Sequence, residues 1–189
     1  KGSKDWATIK RMMYAAPDVY AALMEKVTMM DMEYLNAQIR AGAQAIQIFD
    51  TWGGVLSPTD YEKYVLPYTT KLINGLNRKE TPVIHFVKGS GTMLPVVQKA
   101  GGDVMGLDWH INLGSARDIL GPEMAVQGNL DPTTLYAPHA VIEQEVKRVL
   151  NENAGRPGHI FNLGHGILPT VPPENAKFMV DCVHRLSQR

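Results

Sequence analysis

Gly158-His159-Ile160-Phe161-Asn162-Leu163-Gly164-His165-Gly166-Ile167-Leu168-Pro169 is the stretch on which the fold turns. It opens as a short apolar run of strand length and becomes Asn-Leu-Gly-His-Gly, where two glycines flank one histidine. Glycine accepts positive φ and lets other groups approach the backbone closely. A strand ending in such a turn sets one imidazole at the rim of a sheet, where α/β folds bind their ligands. Taken alone, the same residues also read as a tight strand-to-helix connection with an incidental histidine.

Working outward, Pro173 to Leu186 follows as a helix, and His139 to about Asn153 precedes as another, with Val141, Val146, Val149 and Leu150 inward. Before it, Met124 to Gln127 reads as a strand running into Gly128-Asn129-Leu130-Asp131-Pro132, and Leu113 to Leu120 as a helix closed by Gly121. Asp103 to Leu107 is a strand followed by Asp108-Trp109, with a helix from Thr92 to Ala100 ahead of it. Val83 to Val87 is a strand followed by Lys88-Gly89-Ser90-Gly91. Ser57-Pro58-Thr59-Asp60 reads as an N-cap, a first-turn proline and an acid at N3, starting a helix through Leu66 that Pro67 restarts to about Asn77. Ala43 to Phe49 is the first strand, running into Asp50-Thr51-Trp52-Gly53-Gly54. A helix from Asp5 to Ala16 turns Ile9, Met12 and Met13 to one side. The next, from Pro17 to Gly42, carries Tyr20, Leu23, Val27, Met30, Tyr34 and Ile39 as its core-facing stripe, methionines included.

Strand and helix thus alternate five times with no hairpin signal, which predicts a parallel sheet with crossover helices. Polar residues gather where the strands end: Asp50 and Thr51, Lys88, Asp108, Asn129 and Asp131, Asn162 and His165. In a (β/α) barrel these positions converge on one mouth. A doubly wound sheet is the alternative, but no strand leads into Gly-x-Gly-x-x-Gly, and Gly89-Ser90-Gly91 is too short to support a nucleotide site.

The 189 residues form one domain with a sizeable core, short of the roughly 250 of a complete eight-stranded barrel. Zero net charge gives no sign of a nucleic-acid or anionic-membrane surface. The single cysteine, Cys182, rules out an internal disulfide and a multi-cysteine metal site, and reads as a small core hydrophobe. With neither a membrane-spanning run nor a signal-peptide pattern, the reading is a soluble protein of the cytoplasm. Lys1-Gly2-Ser3-Lys4 leads into a helix with no initiator Met, as in the later part of a longer polypeptide.

Four segments taken together resemble the uroporphyrinogen decarboxylase family: Ile48-Phe49-Asp50-Thr51-Trp52-Gly53-Gly54, Gly106-Leu107-Asp108-Trp109, Gln127-Gly128-Asn129-Leu130-Asp131-Pro132 and Phe161-Asn162-Leu163-Gly164-His165-Gly166. Helix residues such as Tyr34-Leu35-Asn36-Ala37-Gln38-Ile39 resemble its bacterial members. The resemblance covers nearly the whole chain and about the second half of the family's length. It implies a (β/α)8 TIM barrel of which residues 1–189, a single partial domain, supply the fourth through eighth strands. It further implies a homodimer without metal or organic cofactor, acting on a small-molecule tetrapyrrole. The implied reaction converts the four acetate side chains of uroporphyrinogen to methyl groups, a step of haem biosynthesis.

By the same resemblance Thr51 stands where the family has a substrate-contacting Ser or Thr, His165 matches its binding histidine, and Phe49 matches an aromatic lining the cleft. A hydroxyl and an imidazole both hydrogen-bond carboxylates, so the reading expects Thr51 and His165 to share one cavity. The family's essential aspartate lies upstream, so no catalytic residue is assigned within this chain. Asp50 and Asp108 are read as supporting groups, Lys88 as a plausible anion partner, and Asp131-Pro132 as a helix cap. His85, His110, His139, His159 and His184 receive no role.

Two rival readings remain. A zinc-dependent corrinoid methyltransferase of the same superfamily resembles His-x-Cys on one strand and a Cys on the last, since zinc-bound thiolate chemistry needs soft ligands. Here those places resemble His85-Phe86-Val87 and His165, and both cysteines are missing. The second rival is a non-catalytic half barrel with two unpaired edges, inactive alone.

Overall fold

A computed structural model describes residues 5–188 of the chain; the expectation placed on residues 1–4 lies outside them. Helices α1 (Ala7–Ala15) and α2 (Pro17–Arg40) come first, divided at Ala16 by the proline that opens α2. Strand β1 (Ile46–Asp50) leads to α3 (Pro58–Tyr64) and α4 (Leu66–Asn74), and β2 (Val83–Val87) to α5 (Leu94–Val97). Then come β3 (Val104–Gly106), α6 (Leu113–Leu120), β4 (Ala125–Leu130), α7 (His139–Asn153), β5 (His159–Leu163) and α8 (Pro173–Leu186).

The strands pair in parallel in the order β1-β2-β3-β4-β5, each beside its sequence neighbours. A doubly wound sheet reverses its order at a switch point; this one never does. Alternate strand residues Val83, Val87, Met105 and Val126 are buried in the helix-side core. The other parity, Gln47, Phe49, Phe86 and Gln127, lines a cavity on the opposite face. Helices on one face of a singly wound parallel sheet make the arc of a (β/α)8 barrel, its concave face being the barrel interior.

The caps form as their chemistry requires. Ser57 Oγ accepts from the Asp60 N–H at 3.1 Å and donates to Asp60 Oδ2 at 2.9 Å. Asp131 Oδ1 accepts from the Thr133 N–H at 2.8 Å, although Pro132–Tyr136 is a 3-10 turn rather than an α-helix. Cys182 is 1% exposed and packs in the main core. Among the described residues no helix is long and apolar enough to cross a membrane.

Several expectations are corrected. The helix expected over 92–100 is α5 followed by the 3-10 turn Gln98–Ala100. β4 runs past Gln127 to Leu130, because Gly128 admits the carbonyl of Leu107 where a side chain would clash, and pairing with β5 continues. Val141 is exposed, and Ile142 takes the inward place on α7. The largest correction is α2: Leu23, Val27, Met30 and Tyr34 are exposed, whereas Tyr20, Thr28, Leu35 and Asn36 are buried. Met24 and Met32 do pack against the core, but Met29 and Met30 do not. Hydrogen bonds fix that rotation: Tyr20 Oη donates to the Tyr64 carbonyl, Asn36 Nδ2 to the Gly75 carbonyl, and Asn36 Oδ1 accepts from Asn77 N–H.

Candidate active site at the carboxyl ends of the strands

Because all five strands are parallel, their carboxyl ends meet at one rim, where Thr51, Lys88, Asp108, Asp131 and His165 all lie. On the concave side, a cavity of about 370 Å³ is walled by Gln47, Phe49, Phe86, Leu107, Gln127, Asn162 and His165. Its aromatic groups touch in series: Phe49 to Phe86 at 5.9 Å between centroids, Phe86 to His165 at 6.3 Å, and His165 to Trp109 at 6.5 Å. His165 makes no side-chain hydrogen bond among the described residues, so its imidazole is free to meet a ligand.

A second depression of about 230 Å³ is lined by Thr51, Trp52, Lys88, Gly89 and His110. Tight backbone packing shapes it. The Gly54 N–H donates to the Lys88 carbonyl at 3.0 Å, and a Cβ on Gly54 would lie 2.3 Å from that same oxygen. A Cβ on Gly53 would meet Asp50 Oδ2 at 2.6 Å, so the Trp-Gly-Gly run is what the loop's close approach demands. Gly164 obeys the same rule: a Cβ there would stand 2.8 Å from the Trp109 nitrogen. The glycine ahead of His165 is thus required for close packing, which also fixes the imidazole beside Trp109.

Asp108 organises the loop after β3. Its buried carboxylate accepts from the Gly89 N–H at 2.5 Å and the His110 N–H at 3.1 Å, and pairs with His110 Nδ1 at 2.9 Å. Asn129 clamps the same loop from β4, donating to the carbonyls of Asp108 and Ile111. Trp109 is thereby held stacked on His110, with the Lys88 ammonium 5.4 Å from its ring centroid and 6.0 Å from that of Trp52.

Burial raises the pKa of Asp50, an effect that hydrogen bonds from the Trp52 and Gly53 backbones partly offset. His85 points to the helix side, fully buried, with no hydrogen-bond partner for either ring nitrogen among the described residues. Desolvation holds its pKa down at about 4. His159 is also lowered by burial, against a hydrogen bond to the Gly128 carbonyl at 2.8 Å that favours the charged form.

The structure therefore brings Phe49 and His165 into one cavity and places Thr51 in the neighbouring depression, so the single shared cavity expected from sequence is not what forms. The Trp109 ring contacts His165 of the first lining and the Lys88 and His110 side chains of the second. Asp108 supports its loop as expected. Sequence reading passed over His110 and Trp109; the available signal was their place directly after Asp108 at a strand end. Gln47 and Gln127 were also missed, although both keep strand parity with a rim-lining neighbour. Among the described residues no three His, Cys, Asp or Glu side chains converge as metal ligands.

A family model described as uroporphyrinogen decarboxylase (URO-D) matches residues 1–186. Curated relatives named uroporphyrinogen decarboxylase include those of Geobacter metallireducens and Geobacter sulfurreducens, each 88% identical over 189 residues. These matches cover 100% of this chain and 56% of each relative, so the chain spans about half their length. Among solved structures, a methyltransferase from Methanosarcina mazei superposes with a TM-score of 0.75 at 22% identity, covering 85% of this chain and 48% of that one. That likeness concerns the fold.

Proposed function

We propose that this chain, which belongs to the uroporphyrinogen decarboxylase family, forms part of an enzyme that removes the four acetate carboxyls of uroporphyrinogen to give coproporphyrinogen. The observation that carries the reading is 88% identity, along the whole chain, to proteins named for that substrate and reaction. At each acetate, R–CH2–COO⁻ and one proton become R–CH3 and carbon dioxide. The electron pair of the broken carbon–carbon bond needs an acceptor, and a pyrrole protonated on a ring carbon is one. The substrate thus serves as its own electron sink, and no organic cofactor is required. What remains for the protein is to seat the carboxylates, stabilise a cationic ring and exclude water.

The cavity suits those tasks. Phe49 and Phe86 offer apolar faces to a macrocycle, and His165 offers an unengaged imidazole to one of its carboxylates. The Thr51 hydroxyl, one compartment away, takes another. Groups that move protons are contributed by the remaining part of the full-length polypeptide, which works as a homodimer in the cytoplasm. The test is anaerobic incubation of the full-length protein with uroporphyrinogen, counting the carboxyl groups of the product. The expected product carries four; an unchanged octacarboxylate from a well-folded protein overturns the reading.

A further inference from the structure

Lys88 is a cation without an acid. Among the described residues no carboxylate lies within ion-pair distance of its ammonium, although the rim carries Asp50, Asp108 and Asp131. Instead it sits between two indole faces, Trp52 and Trp109, which steady a cation without neutralising it. Both neighbours have partners of their own: Trp109 stacks on His110, which pairs with the buried Asp108, and Trp52 packs on Trp6 at 4.7 Å between centroids. The Lys88 backbone is pinned as well, its N–H donating to the Asp50 carbonyl and its own carbonyl accepting from Gly54. A long flexible side chain has thus been given a fixed root and two flat walls, so less freedom is lost when an anion docks. Thr51 lines the same depression as Lys88, and the Trp109 ring that faces Lys88 also contacts His165.

We propose that Lys88, framed by Trp52 and Trp109, is a second carboxylate subsite that takes a peripheral acidic arm of the substrate while another arm of the same molecule occupies the His165 compartment. The inference rests on the tetrapyrrole reading above and extends it: a macrocyclic polyacid with arms around its edge can set one arm at Lys88 and another at His165, two side chains that both contact Trp109. Binding through Lys88 acts equally on ground state and transition state, which raises KM on its removal and leaves kcat near its original value.

The experiment uses the full-length protein and its Lys88→Met, Lys88→Gln and Lys88→Arg variants, each checked by thermal unfolding. Uroporphyrin, the oxidised and unreactive octacarboxylate, is titrated calorimetrically, and turnover of uroporphyrinogen is measured separately. K88M and K88Q are expected to weaken uroporphyrin binding about 10-fold with an unchanged unfolding midpoint, and K88R to restore most of the affinity. Raised ionic strength narrows the gap between parent and K88M. Equal affinity of all four proteins, or binding by none, overturns the subsite. Loss of turnover in the parent protein with the affinity order preserved overturns the decarboxylase reading and leaves the subsite standing.

Discussion

His165 and His85 sit on the same sheet and meet opposite fates. His165, beyond the end of β5, opens on the concave cavity; His85, inside β2, turns to the helices and has no hydrogen-bond partner among the described residues. Replacing His165 by Ala in the full-length protein is expected to lower kcat/KM for uroporphyrinogen about 10- to 100-fold, as loss of a hydrogen bond to a charged group does. Thr51→Val costs about 10-fold or less by the same measurement, since a neutral hydroxyl is the weaker donor. For His85 the readout is stability. Its folded pKa of about 4 lies below the usual 6.5, so below pH 6.5 the unfolded chain binds the extra proton. Its contribution is whole above pH 6.5 and is lost as pH falls to about 4, on the order of 3 kcal/mol. His85→Leu should flatten that part of the stability–pH curve in urea titrations at pH 7 and pH 5; an unaltered slope would show that His85 is not its source. Sequence did not reveal this contrast for a physical reason. Val83-Ile84-His85-Phe86-Val87 is buried at all five positions, so period-2 alternation, which assigns sheet faces elsewhere, is silent there.

At the scale of the element, α2 shows how a correct helix can be assigned the wrong face. Its boundaries are legible from Pro17 and Gly42, but its 24 residues carry two apolar stripes. One runs through Tyr20, Met24, Thr28, Leu35 and Ile39; the other runs through Val19, Leu23, Val27, Met30 and Tyr34. Helical periodicity accepts either, and a reading by spacing alone merges them. The choice is made by Asn36 and Tyr20, whose polar atoms find backbone partners only when their own stripe faces inward. The energetic asymmetry is testable in the full-length protein. Leu35→Ala removes a buried side chain and is expected to cost about 2–4 kcal/mol in urea unfolding. Leu23→Glu, Met30→Glu and Tyr34→Glu together should cost less than about 1 kcal/mol, because each residue lies on the exposed side of α2. The same triple variant should self-associate less in sedimentation runs, since it breaks a continuous exposed apolar stripe. A larger loss from the triple variant than from L35A would reverse the assignment of faces.

For the molecule as a whole, strand order and helix placement were readable from alternation, because a short crossover fixes each parallel strand beside the one before it. The interior of the barrel was not. Which side chains face inward depends on pleat and register, and the place of Trp109 beside both Lys88 and His165 depends on the loop that Asp108 and Asn129 hold. The described residues form five strands with β1 and β5 at the edges. Their concave side leaves Phe49, Ile160 and Ile167 in contact with solvent, 66%, 46% and 50% exposed. Parallel sheets are stable when both faces are covered, and an open edge recruits further strands. The 189-residue chain by itself is therefore expected to bind an apolar fluorescent dye strongly, to form concentration-dependent assemblies, and to release no carbon dioxide from uroporphyrinogen. The full-length protein should bind little dye and turn the substrate over. Light scattering, dye titration and anaerobic product analysis on the two proteins separate the cases. Turnover by the shorter chain would mean that five strands suffice to seat and protonate the macrocycle, and the assignment of the proton-moving groups to the rest of the polypeptide would fail.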